Sequence, residues 1–267
     1  MNTKEQEMSS ANEMNAQVAD ELMAALDSNV PIEPVRTRIS GAEQAYAVQR
    51  LMLDRWIGAG RKVVGQKIGL TSASVRTQIG VSEPDFGTLF EDMGREDGAT
   101  LTLSALIRPR VEGEIAFVLK EPLRGEVTAQ DVIAATGYVS PAIEICDSRI
   151  RGWDIRLEDT LADNASSGLF VIGRKRTVPS LQMLASCQLK FWCNGELVGE
   201  GQGSECMGNP ANAVAWLAQA VGRFDASLNA GDVVLSGALS KMVTAEAGMT
   251  FRAEFGELGS VGVRFDR

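Results

Sequence analysis

The chain has 267 residues, 45% of them hydrophobic and 23% charged, which is typical of a globular protein with a substantial buried core. Its net charge is −9 and it has no Lys/Arg-rich block, which argues against a nucleic acid or an anionic membrane as partner. It contains no histidine, so Ser-His-Asp and Cys-His catalytic systems are excluded, as is any metal site built on imidazole.

Two amphipathic helices are predicted near the N-terminus, over about residues 12–27 and 42–57, where apolar residues recur at helical spacing. Prolines in the intervening stretch separate the two helices. Strand patterns begin only after these helices. We therefore predict a helical arm over residues 1–60 and a larger domain over residues 61–267.

Strand patterns dominate the rest of the chain. They occur at about 63–68, 101–119, 138–145, 168–172, 188–193, 196–199, 233–236, 251–255 and 261–265. Asn194-Gly195, between two of these strands, suits the type I′ turn of a β-hairpin. Because helices do not alternate steadily with the strands, an α+β fold is favoured over a doubly wound sheet.

Three short helices are predicted between the strands. The first is capped by Thr71 or Ser72 and runs to about Gln78. The second is capped by Thr128, in a pattern that resembles a capping box. The third begins at Asn209-Pro210, with Asn as the N-cap and Pro at the first helical position.

The sequence favours a cytoplasmic protein without a membrane partner. No apolar run approaches the ~20 residues that a membrane-spanning helix needs, and the N-terminal residues lack the apolar core of a signal peptide. The cysteines have no C-x-x-C spacing, so a zinc knuckle or a redox pair is not indicated. We expect four reduced thiols in or near the core, at Cys146, Cys187, Cys193 and Cys206.

Three glutamates are candidate metal ligands. Glu112 and Glu114 stand at i and i+2 of a predicted strand, so they point to one face about 6.6 Å apart at ~3.3 Å per residue. Two solvated glutamates are the simpler interpretation, but the strand is otherwise apolar. Glu144 lies in an apolar stretch and must be paired, neutralised or metal-bound; an ion pair with Arg149 or Arg151 is the alternative. Carboxylates without histidine favour Mg²⁺ or Mn²⁺.

Three polar segments are candidates for contact with a substrate. Lys67 lies between glycines at a strand end, where it could bind a carboxylate or favour enolate formation; the alternative is a surface lysine in a turn. Asp85 lies in a turn before an apolar segment, where it could instead be a cap. Residues 163–166 form a small, polar loop, which could bind a carboxylate through backbone N–H groups or be an ordinary turn.

The order of these motifs resembles that of the 2-keto-4-pentenoate hydratases, which belong with the 4-oxalocrotonate decarboxylases to the fumarylacetoacetate-hydrolase-like superfamily. The resemblance runs from about residue 43 to residue 265, nearly the whole chain. The motifs are Lys67-Ile68-Gly69-Leu70-Thr71, Pro84-Asp85-Phe86-Gly87-Thr88-Leu89-Phe90, Arg110-Val111-Glu112-Gly113-Glu114-Ile115-Ala116, Pro141-Ala142-Ile143-Glu144, Ala162-Asp163-Asn164-Ala165-Ser166, Gly203-Ser204-Glu205-Cys206 and Ser236-Gly237-Ala238-Leu239.

The resemblance implies a mixed β-sandwich roll as the catalytic domain, preceded by the helical arm, and a homo-oligomer. It implies a Mg²⁺ or Mn²⁺ site with a defined ligand set, Glu112, Glu114 and Glu144. It implies that Lys67 and Asp85 act on the substrate. It also places a loop by the substrate carboxylate, with Asp163, Asn164 and Ser166 as the binding residues.

The activity that the resemblance implies is hydration of 2-hydroxypenta-2,4-dienoate to 4-hydroxy-2-oxopentanoate, in the meta-cleavage catabolism of aromatic compounds. The segments around Asp85 and after Ser236 resemble those of the hydratases more than those of the decarboxylases. Whether Lys67 or Asp85 acts as the base is left open. Alternatives are a 2-keto acid decarboxylase and a non-catalytic partner subunit, and the oligomer could associate with a downstream aldolase or a related decarboxylase.

Asn209 stands where relatives usually have histidine, and we expect it to cap the helix all the same.

Overall fold

The computed structural model describes residues 3–72, 76 and 83–267. Two long helices come first, α1 (Thr3–Ser28) and α2 (Gly41–Gly58). Both predicted helices are confirmed. The first begins at Thr3, earlier than predicted, because its first turns are polar and do not show the apolar repeat on which the prediction rested. The predicted short helix that ends at Gln78 falls largely on residues outside the described part of the chain.

Thirteen strands follow among the described residues. They are β1 (Val63–Gly69), β2 (Asp85–Phe90), β3 (Gly94–Glu96), β4 (Ala99–Thr102), β5 (Arg110–Leu119), β6 (Thr136–Cys146), β7 (Ser167–Ile172), β8 (Gln188–Cys193), β9 (Glu196–Gln202), β10 (Val233–Leu235), β11 (Val243–Thr244), β12 (Thr250–Glu254) and β13 (Ser260–Asp266). Four short or medium helices lie between the strands in the described ranges: α3 (Ala129–Ala135), α4 (Leu157–Ala162), α5 (Leu181–Ser186) and α6 (Pro210–Gly222).

Two mixed sheets are formed by the described strands. The larger has eight strands in the order β2-β1-β10-β5-β6-β7-β3, with β11 also paired to β5. The smaller has five strands in the order β4-β13-β12-β8-β9. The α+β prediction is therefore confirmed, and so is the absence of a doubly wound arrangement, since most neighbouring strands are antiparallel.

Local signals in the sequence account for several boundaries. The Thr128 hydroxyl accepts a hydrogen bond from the N–H of Asp131, whose carboxylate accepts one from the N–H of Thr128, so the capping box at α3 is confirmed. Asn194 and Gly195 both have positive φ, 50° and 85°, as the type I′ turn between β8 and β9 requires. The Asn209 side chain caps α6 by accepting from the N–H of Ala211 at 3.0 Å.

The two faces of the larger sheet are covered differently. One face packs against the smaller sheet and α6 and contributes apolar residues such as Ile115, Phe117 and Ile143 to a common core with Phe251. The opposite face is covered by α1, α2 and α4. On β5 and β6 the residues of that second core are small, Ala116 and Ala142, and the same face of these two strands also carries the polar groups described below.

The N-terminal helices share this second core with the sheet. Val18, Leu22, Val48 and Met52 are fully buried there. The side-chain amide of Gln49 donates to the carbonyls of Phe86 and Leu161, at 3.1 and 3.0 Å, and so joins α2 to β2 and α4. The division of the chain at residue 60 into an arm and a domain stays a prediction. Of the helices in the described ranges, none combines the length and apolarity that crossing a bilayer would require.

Candidate metal centre and active site

Three carboxylates meet on the helix-covered face of the larger sheet. Glu112 on β5 lies directly opposite Glu144 on β6 in the antiparallel register, so their side chains share a face. Glu114 follows two residues after Glu112 and joins them. All three are buried, with 6%, 1% and 0% of Glu112, Glu144 and Glu114 exposed. The interpretation of Glu112 and Glu114 as solvated glutamates is therefore wrong.

Lys67 supplies a cation to this cluster. It lies on β1, and its Nζ is 3.1 Å from Oε1 of Glu144, with 3% of the lysine side chain exposed. The alternative of a surface lysine in a turn is therefore wrong. So is the predicted ion pair of Glu144 with Arg149 or Arg151, since Arg149 pairs with Asp163 and Arg151 pairs with Glu33.

Asp85 lies beside Lys67 because β1 and β2 are antiparallel and pair Gly69 with Asp85. It is the first residue of β2, not a turn cap. A Cβ atom at Gly69 would stand 2.1 Å from Oδ1 of Asp85 and 3.5 Å from Nζ of Lys67. The glycine therefore leaves room for the acid and the lysine to approach each other. Thr160, on α4, donates to the other carboxylate oxygen, Oδ2, at 2.9 Å.

Several carboxylate oxygens of this cluster have no hydrogen-bond partner. Among the described residues, the buried carboxylate oxygens without one are Oδ1 of Asp85, Oε1 of Glu114 and both oxygens of Glu144. The contact between Glu144 and Lys67 is an ion pair without hydrogen-bond geometry. Buried polar groups are normally satisfied, so a concentration of orphaned oxygens indicates a missing cation or ligand. Several oxygen donors with no histidine fit a hard divalent metal ion.

One oxygen of Glu114 is held by the backbone. The N–H of Gly237, just beyond the end of β10, donates to Oε2 of Glu114 at 2.7 Å. This bond directs the other oxygen, Oε1, toward the cluster's unsatisfied side. The segment after Ser236, which the sequence singled out, therefore acts on the site through its backbone.

Burial and mutual repulsion perturb the carboxylates. Burial, followed by the charge of Glu144, raises the pKa of Glu112 to about 7 and that of Glu114 well above its ordinary value. Burial also raises the pKa of Asp85, although Lys67 and the Thr160 hydroxyl oppose it. Burial alone would lower the pKa of Lys67, but the surrounding negative charges, Glu144 first, raise it well above its ordinary value. The charge of Lys67 in turn opposes the rise in the pKa of Glu112 and Glu114.

Cys146 belongs to the same cluster, which the sequence analysis did not predict. Its Sγ, a Glu112 oxygen and a Glu144 oxygen all lie within 4.8 Å of one another. The thiol donates to Oε1 of Glu112 at 3.8 Å. The signal was present, because Cys146 stands two residues after Glu144 on a strand and so must share its face. The thiol was instead assigned only to the core.

The side chains of the loop at residues 163–166 make hydrogen bonds within the fold. Asn164 exchanges two hydrogen bonds with the backbone of Thr88, at 2.7 and 3.0 Å, and so clamps the loop onto β2. The side chains of Asp163 and Ser166 bond to each other. Binding of a substrate by these side chains stays a prediction, and their observed contacts hold the loop and β2 together.

The backbone of this loop is strained. Asn164, Ala165 and Ser166 each have φ of 51°, the left-handed region, which costs a non-glycine residue ~1–2 kcal/mol. A Cβ atom at Gly87 would stand 2.3 Å from the carbonyl oxygen of Asn164, so glycine permits the close approach of loop and strand. Such strain is kept where surrounding contacts over-determine it, commonly near functional sites.

Comparison with known proteins identifies the family of the chain. Residues 78–266 match the fumarylacetoacetate hydrolase C-terminal family. The chain is 46% identical, over 253 residues, to a 2-keto-4-pentenoate hydratase of Burkholderia vietnamiensis strain G4, an alignment that covers 94% of this chain and 97% of the relative. It is 46% identical, over 226 residues, to a 2-hydroxyhexa-2,4-dienoate hydratase of Comamonas testosteroni, covering 84% and 86% of the two chains.

A solved structure shares the whole architecture. The 4-oxalocrotonate decarboxylase of Pseudomonas putida G7, complexed with magnesium and adipate, superposes with a TM-score of 0.90 at 32% identity, and the match covers 99% of both chains. The mixed β-sandwich roll that the motifs implied is thus confirmed. Matching family, full-length relatives and fold together show that the chain belongs to the fumarylacetoacetate hydrolase family, in its group of 2-keto-4-pentenoate hydratases.

Proposed function

We propose that this protein is a divalent-metal-dependent hydratase that adds water to 2-hydroxypenta-2,4-dienoate, or its keto tautomer, and releases 4-hydroxy-2-oxopentanoate. The observation that carries the proposal is the position of Asp85. Its unpartnered Oδ1 lies next to Lys67, within the same buried cluster as the three glutamates. Hydration requires a general base close to an electrophilic centre, and this arrangement supplies one.

Glu112, Glu114 and Glu144 are the proposed ligands of Mg²⁺ or Mn²⁺. The orphaned oxygens of Glu114 and Glu144 and the mutual repulsion of the three glutamates support this assignment, because a cation would relieve both. When bound, the cation supplies Lewis-acid stabilisation of the negative charge that develops on the substrate's C2 oxygen. The magnesium complex of the related decarboxylase agrees with such a site.

Lys67 and Asp85 divide the proton transfers in this proposal. Since its pKa lies well above the ordinary value, Lys67 is protonated and suited to stabilise an oxyanion or to donate a proton at C3. Asp85 then removes the proton from the attacking water. Burial raises the pKa of Asp85, but Lys67 and the Thr160 hydroxyl oppose this effect and favour the ionised carboxylate. The Thr160 hydroxyl binds Oδ2, which leaves Oδ1 free for the water.

The substrate class follows from the relatives. They act on 2-keto-4-pentenoate and on 2-hydroxyhexa-2,4-dienoate, which share the C1–C4 dienoate and differ at the far end. We therefore propose a small 2-hydroxy-2,4-dienoate as the substrate, formed in the catabolism of aromatic compounds.

The decisive experiment is product analysis by NMR. Purified protein with Mg²⁺ and freshly prepared 2-hydroxypenta-2,4-dienoate should yield 4-hydroxy-2-oxopentanoate. Prior treatment with EDTA should abolish the reaction, and added Mg²⁺ or Mn²⁺ should restore it. Full activity in a thoroughly chelated sample would overturn the metal assignment. Unchanged dienoate in the presence of metal would overturn the proposed hydratase activity.

A decarboxylase is the second candidate, favoured by the close structural match to 4-oxalocrotonate decarboxylase. Decarboxylation uses the same electron sink but needs no base for water. Release of CO₂ from 4-oxalocrotonate, without hydration of the pentadienoate, would identify this alternative.

We further propose that the protein is a cytoplasmic homo-oligomer that can associate with a downstream aldolase or a related decarboxylase. The exposed apolar residues Leu197 and Val198, on the edge strand β9, support an interface. Light scattering at micromolar concentration should give a mass above the 28.6 kDa of one chain. A monomer would contradict the homo-oligomer.

A further inference from the structure

Cys146 gives the cluster a donor of a different chemical kind. Its Sγ lies within 4.8 Å of ligand oxygens from both Glu112 and Glu144, and all three residues are buried. A cysteine by itself would indicate nothing. Here it faces Glu144, whose two carboxylate oxygens have no hydrogen-bond partner among the described residues, although Oε1 forms an ion pair with Lys67. Two carboxylates and one thiol therefore converge on one point with acceptor capacity to spare.

The strand register maintains this convergence. Cys146 and Glu144 are alternate residues of β6, and Glu112 is the cross-strand neighbour of Glu144. All three Cα positions lie in the regular ladder between β5 and β6, so their separation does not depend on a loop. A preformed set of donors on rigid strands binds a metal with little rearrangement.

Oxygen and sulfur donors select different cations. Mg²⁺ and Mn²⁺ favour carboxylates, whereas thiolates select soft or borderline cations such as Zn²⁺ and, by the same logic, Cd²⁺. We propose that Glu112, Glu144 and Cys146 form a second donor set, overlapping the proposed Mg²⁺ site, that takes a thiophilic divalent cation. The thiol loses its proton to solvent as the metal–sulfur bond forms, since a coordinating thiol is deprotonated.

Two consequences follow from the overlap. A thiophilic cation and Mg²⁺ compete, because both need Glu112 and Glu144. Substitution of Cys146 separates them, because only the thiophilic cation uses the sulfur. The inference rests on the proposed function only through these two shared glutamates, and it does not require that the protein hydrate anything.

The test is a titration of the metal-free, full-length protein with Cd²⁺, followed by the ultraviolet charge-transfer absorption of a cadmium–thiolate bond. The wild type should show this band, saturating at one equivalent, and Mn²⁺ should bind to the same protein in a separate titration. In Cys146→Ser the band should disappear and Cd²⁺ affinity should fall by at least ~10-fold, whereas Mn²⁺ affinity should change by less than ~3-fold, because the serine hydroxyl can still donate to Glu112. In Cys146→Ala the band should disappear as well.

Cys187→Ser is the matched control. Cys187 is also a buried thiol, but its Sγ contacts the carbonyl of Phe255, away from the carboxylates. This variant should keep the band and the Cd²⁺ affinity of the wild type. A band that survives in both Cys146 variants, no band in the wild type, or a parallel loss of Mn²⁺ and Cd²⁺ binding would each overturn the second donor set.

The absorption assay separates this inference from the hydratase proposal. A protein that shows the Cys146-dependent band but hydrates no dienoate supports the mixed donor set and contradicts the activity. A protein that hydrates the dienoate with Mg²⁺ but shows no such band supports the activity and contradicts the mixed donor set.

Discussion

The buried ionic cluster around Arg149 and the one around Lys67 differ in how completely their polar atoms are satisfied. In the first, the Arg149 guanidinium pairs with the carboxylate of Asp163 and donates to the carbonyls of Asp147 and Ser167, at 2.9 and 2.7 Å. The Asp163 carboxylate also accepts from the hydroxyl of Ser148 at 3.0 Å. Donors and acceptors are matched, and the cluster ties the turn after β6 to the loop before β7.

The second cluster contains Lys67, Asp85 and the three glutamates, Glu112, Glu114 and Glu144. One cation faces four carboxyl groups, and oxygens of Asp85, Glu114 and Glu144 have no hydrogen-bond partner in the part of the chain that the structure describes. Burying charge without compensation is costly. Burial of charge therefore does not by itself mark a functional site. A shortage of hydrogen-bond and ion-pair partners does, because the fold tolerates it only where a ligand supplies the partners that the protein lacks.

Glu112→Gln should have the largest effect on activity. It removes a negative charge from the proposed metal site, so metal binding and every activity should fall to background. The same change relieves repulsion, so the metal-free variant should melt at the wild-type temperature or above it. Isothermal titration with Mn²⁺, activity assays and calorimetry would measure these quantities. Glu121→Gln, at an exposed position beyond β5, is the control and should behave as wild type. A Glu112→Gln variant that is both active and metal-bound would show that Glu112 is not part of a metal site.

Asp85→Asn should lower hydration by ~10²–10⁴-fold, the usual contribution of a positioned general base. The amide keeps the shape of the carboxyl group and still accepts from Thr160, so metal binding and folding should persist. Steady-state kinetics and Mn²⁺ titration would measure the effect. Asp92→Asn, an exposed position past the other end of β2, should leave the rate unchanged. Hydration at the wild-type rate in Asp85→Asn would mean that water is activated elsewhere.

Arg149→Met should lower the stability of the protein, whereas the two preceding substitutions should lower its activity. It leaves Asp163 buried without its cation, a change that typically costs ~3–5 kcal/mol of the free energy of unfolding. The folded fraction should retain its metal affinity. Arg151→Met is the control, because the Arg151–Glu33 pair is exposed and should contribute less than ~1 kcal/mol. Urea denaturation would compare the two variants. Equal losses would contradict a structural role that is specific to the Arg149 cluster.

The pH dependence of stability should show the smallest effect. Burial and Glu144 raise the pKa of folded Glu112 to about 7, so the folded state binds its proton more tightly than the unfolded state. The resulting stabilisation is present below the ordinary glutamate pKa and is lost as pH rises through about 7. The melting temperature of the metal-free protein should therefore fall over this interval. Glu112→Gln should flatten the dependence, and saturating Mg²⁺ should oppose it. If the melting temperature of Glu112→Gln depends on pH as steeply as that of the wild type, other groups cause the dependence.

Much of the fold could be predicted from local sequence. The Asn194-Gly195 turn and the caps at Thr128 and Asn209 depend on neighbours within a few residues, and each is confirmed. Most of the strand patterns are confirmed as well, but the pattern at 101–119 is divided between β4 and β5, and β2, β3 and β11 were not predicted. The pairing of Glu144 could not be predicted. Lys67 lies 77 positions earlier in the chain, whereas the arginines that were considered are within seven. Sequence proximity was a poor guide, because the partners of a buried charge are set by strand register.

The sequence by itself determined the chemistry that is possible here. Without histidine, a metal site must use carboxylates, and the i, i+2 spacing of Glu112 and Glu114 puts them on one face of a strand. The tertiary structure decided which groups meet. It placed Glu144 opposite Glu112 and Cys146 beside both, and it paired Arg149 with Asp163. The reason is physical: alternation along a strand is a local property, whereas cross-strand contacts depend on the packing of segments distant in sequence.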